Sequence, residues 1–313
     1  MALELMFLGT GTSAGIPMIG CDGGACGSDD PRDRRDRASA LIRWPDPDWP
    51  HHDEKHAEAA AFNPAQAGHR QVLIDASPDL RYQAIRARLS RLDAVMYTHA
   101  HADHIFGTDD LRRFNAVMQA PLDIYADSET FSTLRRMFAY IFEPERNVNQ
   151  SFVASLIPRE IEAGDAWTLH GARWTAVRLL HGRLPILGFR VDHAGCSVGY
   201  CTDMSSLPPE SYEPLTGLDV VVIDALRHRH HPTHQTLDRA CETAAELGAR
   251  RTFFTHMGHE VTHAEVDPEL PDGVSLACDG LSVKVLPDGT IEETGDTHAG
   301  PRDAGERAVI GDR

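Results

Sequence analysis

Short apolar runs separated by polar stretches recur along the whole chain. The runs at 3–8, 72–74 and 94–97 have the length and composition of buried β-strands. Residues 80–89 and 128–142 instead place apolar side chains at helical spacing. This pattern predicts an α/β protein in which helices cover the sheets.

Four apolar runs in the second half each end at a side chain that can bind a metal ion. They are 174–180 before His181, 196–202 before Asp203, 218–223 before Asp224 and 251–255 before His256. In sheet proteins with covering helices, functional sites assemble where strand ends converge. We therefore expect these side chains to meet, with Asp203 bridging two ions. Asp224 is interpreted either as a ligand or as a group behind the ligands.

The densest group of candidate ligands is His99, His101, Asp103 and His104, directly after the apolar run 94–97. The alternation of a strand places His99 and His101 on one face, and the other two fall on the following turn. Imidazole and carboxylate suit zinc, manganese or iron. A surface loop rich in histidine is the alternative, since the chain has 18 His. The position at a strand end favours a metal site for two ions.

Two further features are candidates for supporting roles. Asp75 ends the run 72–74 and is either a group that orients a ligand imidazole or a plain turn residue. The loop 227–234 is rich in Arg and His and precedes a predicted helix at 235–247, where anions are favoured. One of its histidines can carry a proton and its arginines can pair with phosphate. A flexible polar loop is the alternative.

The N-terminal region leaves two interpretations open. The Gly-Thr-Gly-Thr-Ser stretch at 9–13 is either a phosphate-binding turn or a turn in which backbone approaches backbone, and its spacing is not that of a P-loop. Cys21 and Cys26 are either half of a structural zinc site or two reduced cysteines. The six Cys of the chain lack the spacing of a secreted disulfide framework, which favours a reducing compartment.

Length and composition indicate one large domain. The predicted domain spans 1–290 of the 313 residues, with an inserted, mobile hairpin loop at 45–70 and a disordered tail at 291–313. No apolar run approaches a membrane span and no signal-peptide pattern opens the sequence, so we expect a cytoplasmic protein with no membrane partner. The net charge of −17 disfavours long nucleic acids as partners. The sequence is compatible with a homodimer.

The His-x-His-x-Asp-His motif at 99–104, followed by His181, Asp203 and His256, resembles the metallo-β-lactamase-fold hydrolases. The resemblance covers roughly residues 3–286 and implies a four-layer αβ/βα sandwich of two sheets between helices. It also implies two divalent ions, zinc or manganese. The implied ligands are His99, His101 and His181 for one ion and Asp103, His104 and His256 for the other, with Asp203 between them.

Within that superfamily, the stretch 8–17 with Cys21 and Cys26 resembles the phosphoribosyl 1,2-cyclic phosphate phosphodiesterases. Residues 232–234 and 255–259 match that group too. The resemblance implies that His234 is a general acid and that His259 joins the two cysteines at a structural zinc. Two departures are Gly23, which stands where a third cysteine is expected, and the insertion at 45–70.

We therefore expect a metal-dependent phosphodiesterase that hydrolyses a small, cyclic phosphodiester. In this hypothesis a hydroxide held between the two ions attacks phosphorus, Asp103 and Asp203 hold the ions, and His234 protonates the leaving oxygen. A tRNA 3′-processing endonuclease is one alternative, because those enzymes share the histidine motif. A non-catalytic metal-binding accessory protein of coenzyme biosynthesis is the other, because such a relative shares the cysteine loop and a stretch like 76–79.

Overall fold

The computed structural model describes residues 2–47 and 68–295. The strands are β1 (Leu3–Gly9), β2 (Ser39–Pro45), β3 (His69–Ile74), β4 (Ala94–Met96), β5 (Leu122–Ala126), β6 (Leu156–Glu160), β7 (Ala166–Leu169), β8 (Ala172–His181), β9 (Leu184–His193), β10 (Cys196–Cys201), β11 (Val220–Asp224), β12 (Arg251–Thr255), β13 (Val274–Leu276), β14 (Leu281–Val285) and β15 (Ile291–Gly295). The α-helices are α1 (Leu80–Arg86), α2 (Ala102–Ile105), α3 (Leu111–Met118), α4 (Ser128–Met137), α5 (Ala139–Phe142), α6 (Tyr212–Leu215), α7 (Leu237–Leu247) and α8 (His263–Val266).

The strands form two mixed sheets. One has the order β15-β14-β1-β2-β3-β4-β5-β6, and the other has the order β13-β12-β11-β10-β9-β8-β7. Each sheet joins an antiparallel part to a parallel part, with β3 to β6 parallel in the first sheet and β10 to β13 parallel in the second. Because parallel strands end at the same edge, the segments that follow them are brought together.

Three apolar clusters define the layers. The central cluster fills the space between the sheets and includes Trp44 from β2 and Trp174 from β8, whose rings lie 6.3 Å apart. Outer clusters pack α1, α3 and α4 on the first sheet and α7 on the second. In β12, Phe253 faces the central cluster and Phe254 the outer one, which explains why two large apolar residues stand side by side in this strand. The predicted αβ/βα sandwich is confirmed.

Local signals define several helix ends. The Asp127 side chain accepts a hydrogen bond from the Thr130 backbone N–H (2.8 Å) at the start of α4. Thr236 does the same for Arg239 (3.2 Å) at the start of α7, which ends at Gly248 in the left-handed conformation. The predicted helix at 128–142 is interrupted at Phe138, whose φ of −117° and ψ of 43° are not helical.

Two predicted boundaries differ from the structure. The tail predicted to be disordered from 291 begins instead with β15, which pairs antiparallel with β14. Its side chains are mostly exposed, so an edge strand formed without the apolar pattern on which the prediction depended. Residues 296–313 lie outside the described residues. Of the predicted insertion, β2 and β3 pair as far as Pro45 and His69, and residues 48–67 lie outside the described part. Within the described ranges, no helix is long and apolar enough to cross a membrane.

Candidate metal centre

The strand ends deliver the predicted ligands to one place. His99, His101 and His181 bring their ligand atoms within 4.8 Å of one another, and so do Asp103, His104, Asp203 and His256. His181 is the last residue of β8, whereas Asp203 and His256 follow β10 and β12. The two groups lie side by side, because Nε2 of His99 is 4.0 Å from Asp203 Oδ1. This is the grouping that the resemblance to the metallo-β-lactamase-fold hydrolases implied.

Asp203 lies between the two groups. Its Oδ1 is 3.2 Å from His256 Nε2, and its Oδ2 is 3.2 Å from His104 Nε2. Asp103 Oδ2 approaches the same two imidazole nitrogens, at 3.5 Å and 3.2 Å. Oxygen and nitrogen donors thus converge on a small volume. The arrangement suits divalent cations.

Three imidazoles are oriented by bonds at Nδ1 that leave Nε2 directed inward. His104 Nδ1 lies 2.7 Å from Asp75 Oδ2. His181 Nδ1 lies 2.7 Å from the Asp203 carbonyl oxygen, and His99 Nδ1 lies 3.0 Å from the Thr98 hydroxyl. The Nε2 atoms of His99, His104 and His256 are buried and have no hydrogen-bond partner. Such nitrogens are costly unless something binds them, so the donor set fits a metal ion.

Asp75 holds both the motif backbone and one of its rings. It accepts hydrogen bonds from the Thr98 backbone N–H and hydroxyl, each at 2.8 Å, in addition to its contact with His104. Of the two interpretations left open for Asp75, these contacts support the group that orients an imidazole. Sequence reasoning missed Thr98, which lies between the strand and the first histidine of the motif.

Three residues of the centre have left-handed backbone conformations. The φ angles are 61° at Asp75, 56° at Asp203 and 59° at His256. A non-glycine residue pays a conformational cost in this region, and such residues concentrate at functional sites. The backbone turns sharply after β3, β10 and β12, and this turn directs each side chain into the centre.

Charges in the centre are mutually adjusted. Burial opposes a charge on His104 and His256, yet the surrounding carboxylates raise the pKa of both, that of His256 to about 9. Burial also opposes ionisation of Asp103 and Asp203, but His104 beside them holds the pKa of each carboxyl well below its usual value. For His99, burial dominates and lowers the pKa. The carboxylates and the imidazoles of His104 and His256 therefore each favour the charged form of the other, which is a surrounding that also favours cations.

His234 borders the centre and is held by Asp224. Its Nδ1 is 3.2 Å from Asp224 Oδ1, and its ring stacks on that of His256 with centroids 4.7 Å apart. Asp224 Oδ2 accepts a hydrogen bond from the Gln235 backbone N–H at 2.9 Å. Asp224 is fully buried and lies 3.5 Å from His256 Nδ1, which has no hydrogen-bond partner among the described residues, so its imidazole contact is the one with His234. Asp224 also forms a group of possible ligands with His234 and His256, so both interpretations of Asp224 stay open.

The arginines of the loop at 227–234 already have partners. Arg229 forms an ion pair with Glu260, and Arg227 donates to the carbonyl oxygens of Arg229 (3.2 Å) and His230 (3.1 Å). The loop therefore contributes His234 to the centre, while its guanidinium groups are used in contacts within the protein.

The candidate structural zinc site is smaller. Cys21, Cys26 and His259 bring their ligand atoms within 4.8 Å of one another, and Cys21 Sγ lies 3.3 Å from His259 Nδ1. Within the described ranges this group has three members. Burial, followed by the neighbouring Cys21, raises the pKa of the Cys26 thiol. A Cβ built at Gly23 meets no atom within 4 Å, so the position of the expected third cysteine faces open space.

The family model for the beta-lactamase superfamily domain matches residues 70–257, which include every candidate ligand of the centre. The chain belongs to the metallo-β-lactamase superfamily. The crystal structure of a new diphosphatase from the PhnP family is similar to 94% of this chain and 99% of that chain, at 37% identity and a TM-score of 0.76. The chain is thus a metal-binding hydrolase of this fold and resembles the PhnP group, as predicted, and the non-catalytic alternative is set aside.

Two curated relatives add to the comparison. An octanoyltransferase of Porphyromonas gingivalis is 31% identical over 281 residues, which are 89% of this chain and 51% of that protein. The chain therefore spans about half the length of this relative. Ribonuclease Z of a Mycobacterium species (strain KMS) is 25% identical over 262 residues, which cover 74% of this chain and 91% of that protein.

Proposed function

We propose that this protein hydrolyses a small phosphodiester, with a cyclic phosphoribosyl diester as the favoured substrate. The observation that carries the proposal is the position of His234. Its ligand atom lies within 4.8 Å of those of His181 and Asp203 and, in a second group, of Asp224 and His256. An imidazole beside a cation site can donate a proton to an oxygen that leaves phosphorus.

The metal ligands proposed are those of the two groups. His99, His101 and His181 would hold one ion, Asp103, His104 and His256 would hold the other, and Asp203 would be shared by the two groups. Divalent cations, when bound, supply a hydroxide nucleophile near neutral pH and neutralise phosphoryl oxygens. We propose two ions, zinc or manganese, because nitrogen and carboxylate donors suit both. A third, structural zinc at Cys21, Cys26 and His259 remains a prediction.

The protein's own groups position the acid. Asp224 fixes the His234 ring through Nδ1, which leaves Nε2 free to give its proton to the leaving oxygen. The stacked His256 and the nearby His181, whose ring centroid is 4.7 Å away, restrict where the His234 ring can lie. Substrate thus meets an oriented proton donor on one side and the cation ligands on the other.

Two other substrate classes are supported by particular relatives. The PhnP-family neighbour is a diphosphatase, which favours a P–O–P bond as the second candidate. Ribonuclease Z as a relative supports tRNA 3′ processing, although the net charge of −17 disfavours a long polyanion. All three reactions are cleavage of a phosphorus–oxygen bond by the same centre.

The experiment compares leaving groups and substrates. His234→Ala should lower kcat on a cyclic ribosyl phosphodiester by ~10²–10⁴-fold. It should lower kcat on bis(p-nitrophenyl) phosphate far less, because nitrophenolate leaves without a proton. The matched control is His230→Ala, an exposed imidazole of the same loop. Equal losses on both substrates would remove the general-acid role of His234.

The same wild-type preparation is tested on a cyclic phosphoribose, a dinucleotide with a P–O–P link and a tRNA precursor. Highest kcat/KM on the cyclic diester supports the proposal. Highest kcat/KM on the dinucleotide would replace the cyclic phosphodiesterase proposal with a diphosphatase function. Cleavage of the tRNA precursor alone would contradict both of these functions.

A further inference from the structure

A short segment near the carboxyl end of the domain joins both sheets close to the metal centre. The backbone N–H of Ala277 donates to the Phe254 carbonyl at 2.9 Å, near the end of β12. That of Gly280 donates to the Phe7 carbonyl at 2.8 Å, near the end of β1. The segment therefore fixes two strand ends relative to each other, and Asp279 lies between these anchors.

The side chain of Asp279 binds the opening loop, which is the segment that follows β1 and begins at Thr10. Its Oδ1 accepts hydrogen bonds from the Thr10 backbone N–H (2.9 Å) and hydroxyl (2.8 Å). Its Oδ2 accepts one from the Asp36 backbone N–H at 2.8 Å and lies 3.3 Å from the Arg86 guanidinium. Since only 8% of the side chain is exposed, these contacts are shielded from water.

Thr10 connects Asp279 to the metal centre through backbone hydrogen bonds to Met257. Its carbonyl accepts a hydrogen bond from the Met257 backbone N–H at 3.0 Å, and the Thr12 N–H donates to the Met257 carbonyl at 3.1 Å. Both polar backbone groups of Met257 are therefore bonded to the opening loop. Met257 directly follows His256, whose left-handed conformation needs support from its surroundings.

The glycines of the opening loop permit this close approach. A Cβ at Gly11 would lie 2.8 Å from the Arg35 carbonyl oxygen, and one at Gly9 would lie 2.0 Å from that of Arg37. The Gly-Thr-Gly-Thr-Ser stretch is thus a turn in which backbone meets backbone, rather than an open cradle.

We propose that Asp279 is a positioning residue for the metal centre: through Thr10 and Met257 it fixes the backbone of His256 and so the direction of that imidazole. The effect is confined to the ion held by Asp103, His104 and His256. His99, His101 and His181 reach the centre on other segments. The inference rests on the two-ion centre proposed above.

The test measures metal retention. Wild-type protein, Asp279→Ala and the control Asp219→Ala are loaded with Co²⁺, and each binding step is followed by calorimetry and by the visible spectrum. Asp219 makes comparable contacts, accepting from the Ser197 backbone N–H (2.9 Å) and hydroxyl (3.1 Å), but at the opposite end of the parallel strands. In Asp279→Ala we expect one step weakened by about 10–100-fold and the other unchanged. In Asp219→Ala we expect both steps as in wild type.

Adding His101→Ala to Asp279→Ala should remove the remaining ion, which identifies it as the one outside the His256 group. Thr10→Val keeps the backbone N–H but loses the hydroxyl, so it should weaken the binding step that Asp279→Ala weakens, to a smaller degree. If Asp279→Ala does not fold, Thr10→Val is used in its place. Wild-type affinities for both ions in Asp279→Ala and Thr10→Val would overturn the inference alone. Fewer than two ions in the wild type would overturn the proposed centre itself.

Discussion

Two candidate metal sites lie three residues apart in the chain, at His256 and His259, and they differ in how their ligands are held. In the centre all candidate ligands except the exposed His101 are buried, and a carboxylate, a hydroxyl and a carbonyl each fix one of three rings from behind. In the cysteine group Cys21 and His259 are only half-buried and contact each other. The centre thus has the groups behind its donors that orient ligands in metal sites.

The segment around the cysteine group is stabilised in a different way. Asp33 Oδ1 accepts hydrogen bonds from Arg35 Nη2 (2.9 Å) and from the His263 backbone N–H (2.9 Å), and Arg35 Nη1 donates to the Gly258 carbonyl (3.3 Å). The Arg35 and Asp33 side chains are 0% and 1% exposed. A buried ion pair thus fixes residues on both sides of His259, so we infer that this region folds without zinc.

The largest effect is expected from Asp203→Ala, because its carboxylate contacts ligands of both groups. We expect kcat to fall by ~10³-fold or more as the cation sites are lost. Steady-state kinetics and metal analysis of the purified variant measure this. Asp219→Ala is the control, and a variant that keeps both ions and activity would show that Asp203 is not the bridging ligand.

Next is Asp33→Asn, which leaves the buried Arg35 without its charge partner. Loss of one member of a buried ion pair costs about 3–5 kcal/mol, so the free energy of unfolding should fall by that amount. Urea denaturation measures it. If chelators lower stability more than Asp33→Asn does, a metal rather than this ion pair stabilises the cysteine region.

The pH dependence of the free energy of unfolding provides a control for Asp33→Asn. Burial opposes ionisation of Asp33, but hydrogen bonds to His263 and the charge of Arg35 lower its pKa to about 2. The folded pKa is below the unfolded value, so this stabilisation is complete above about pH 4 and is lost as pH falls through about 2. The difference in stability between wild type and Asp33→Asn should therefore shrink over that range. A constant difference would contradict the role of the charge.

A smaller effect is expected from Asp75→Asn, which keeps the size of the group that orients His104. Replacing such a supporting group costs about 10–100-fold in metal affinity or activity. Metal titration against wild type measures the loss. An unchanged affinity would mean that the backbone alone orients His104.

The smallest effect is expected from Cys26→Ala. If the cysteine group is dispensable for the reaction, kcat changes by less than about tenfold, since Cys26 contacts the Met18 backbone rather than the centre. Activity assays with and without added zinc provide the measurement. A loss as large as that of Asp203→Ala would show that both sites depend on one structure.

Several features of the centre were predictable because they are encoded locally. The motif at 99–104 follows β4, and the extended backbone at His101 preserves the alternation that places it beside His99. Asp203 and His256 follow the parallel strands β10 and β12, so the parallel arrangement brings these two together. Asp75 was predictable for the same reason. His181 instead ends β8, which pairs antiparallel with β9.

The sequence by itself determined which donors are present and that they stand at strand ends, because ligand chemistry and strand alternation are properties of neighbouring residues. Only the tertiary structure decided which groups support them. Asp279 contacts Thr10 across 269 positions, and His263 contacts Asp33 across 230. Contacts of that separation leave no periodicity in the chain, since they arise only when the two sheets pack and close the same edge.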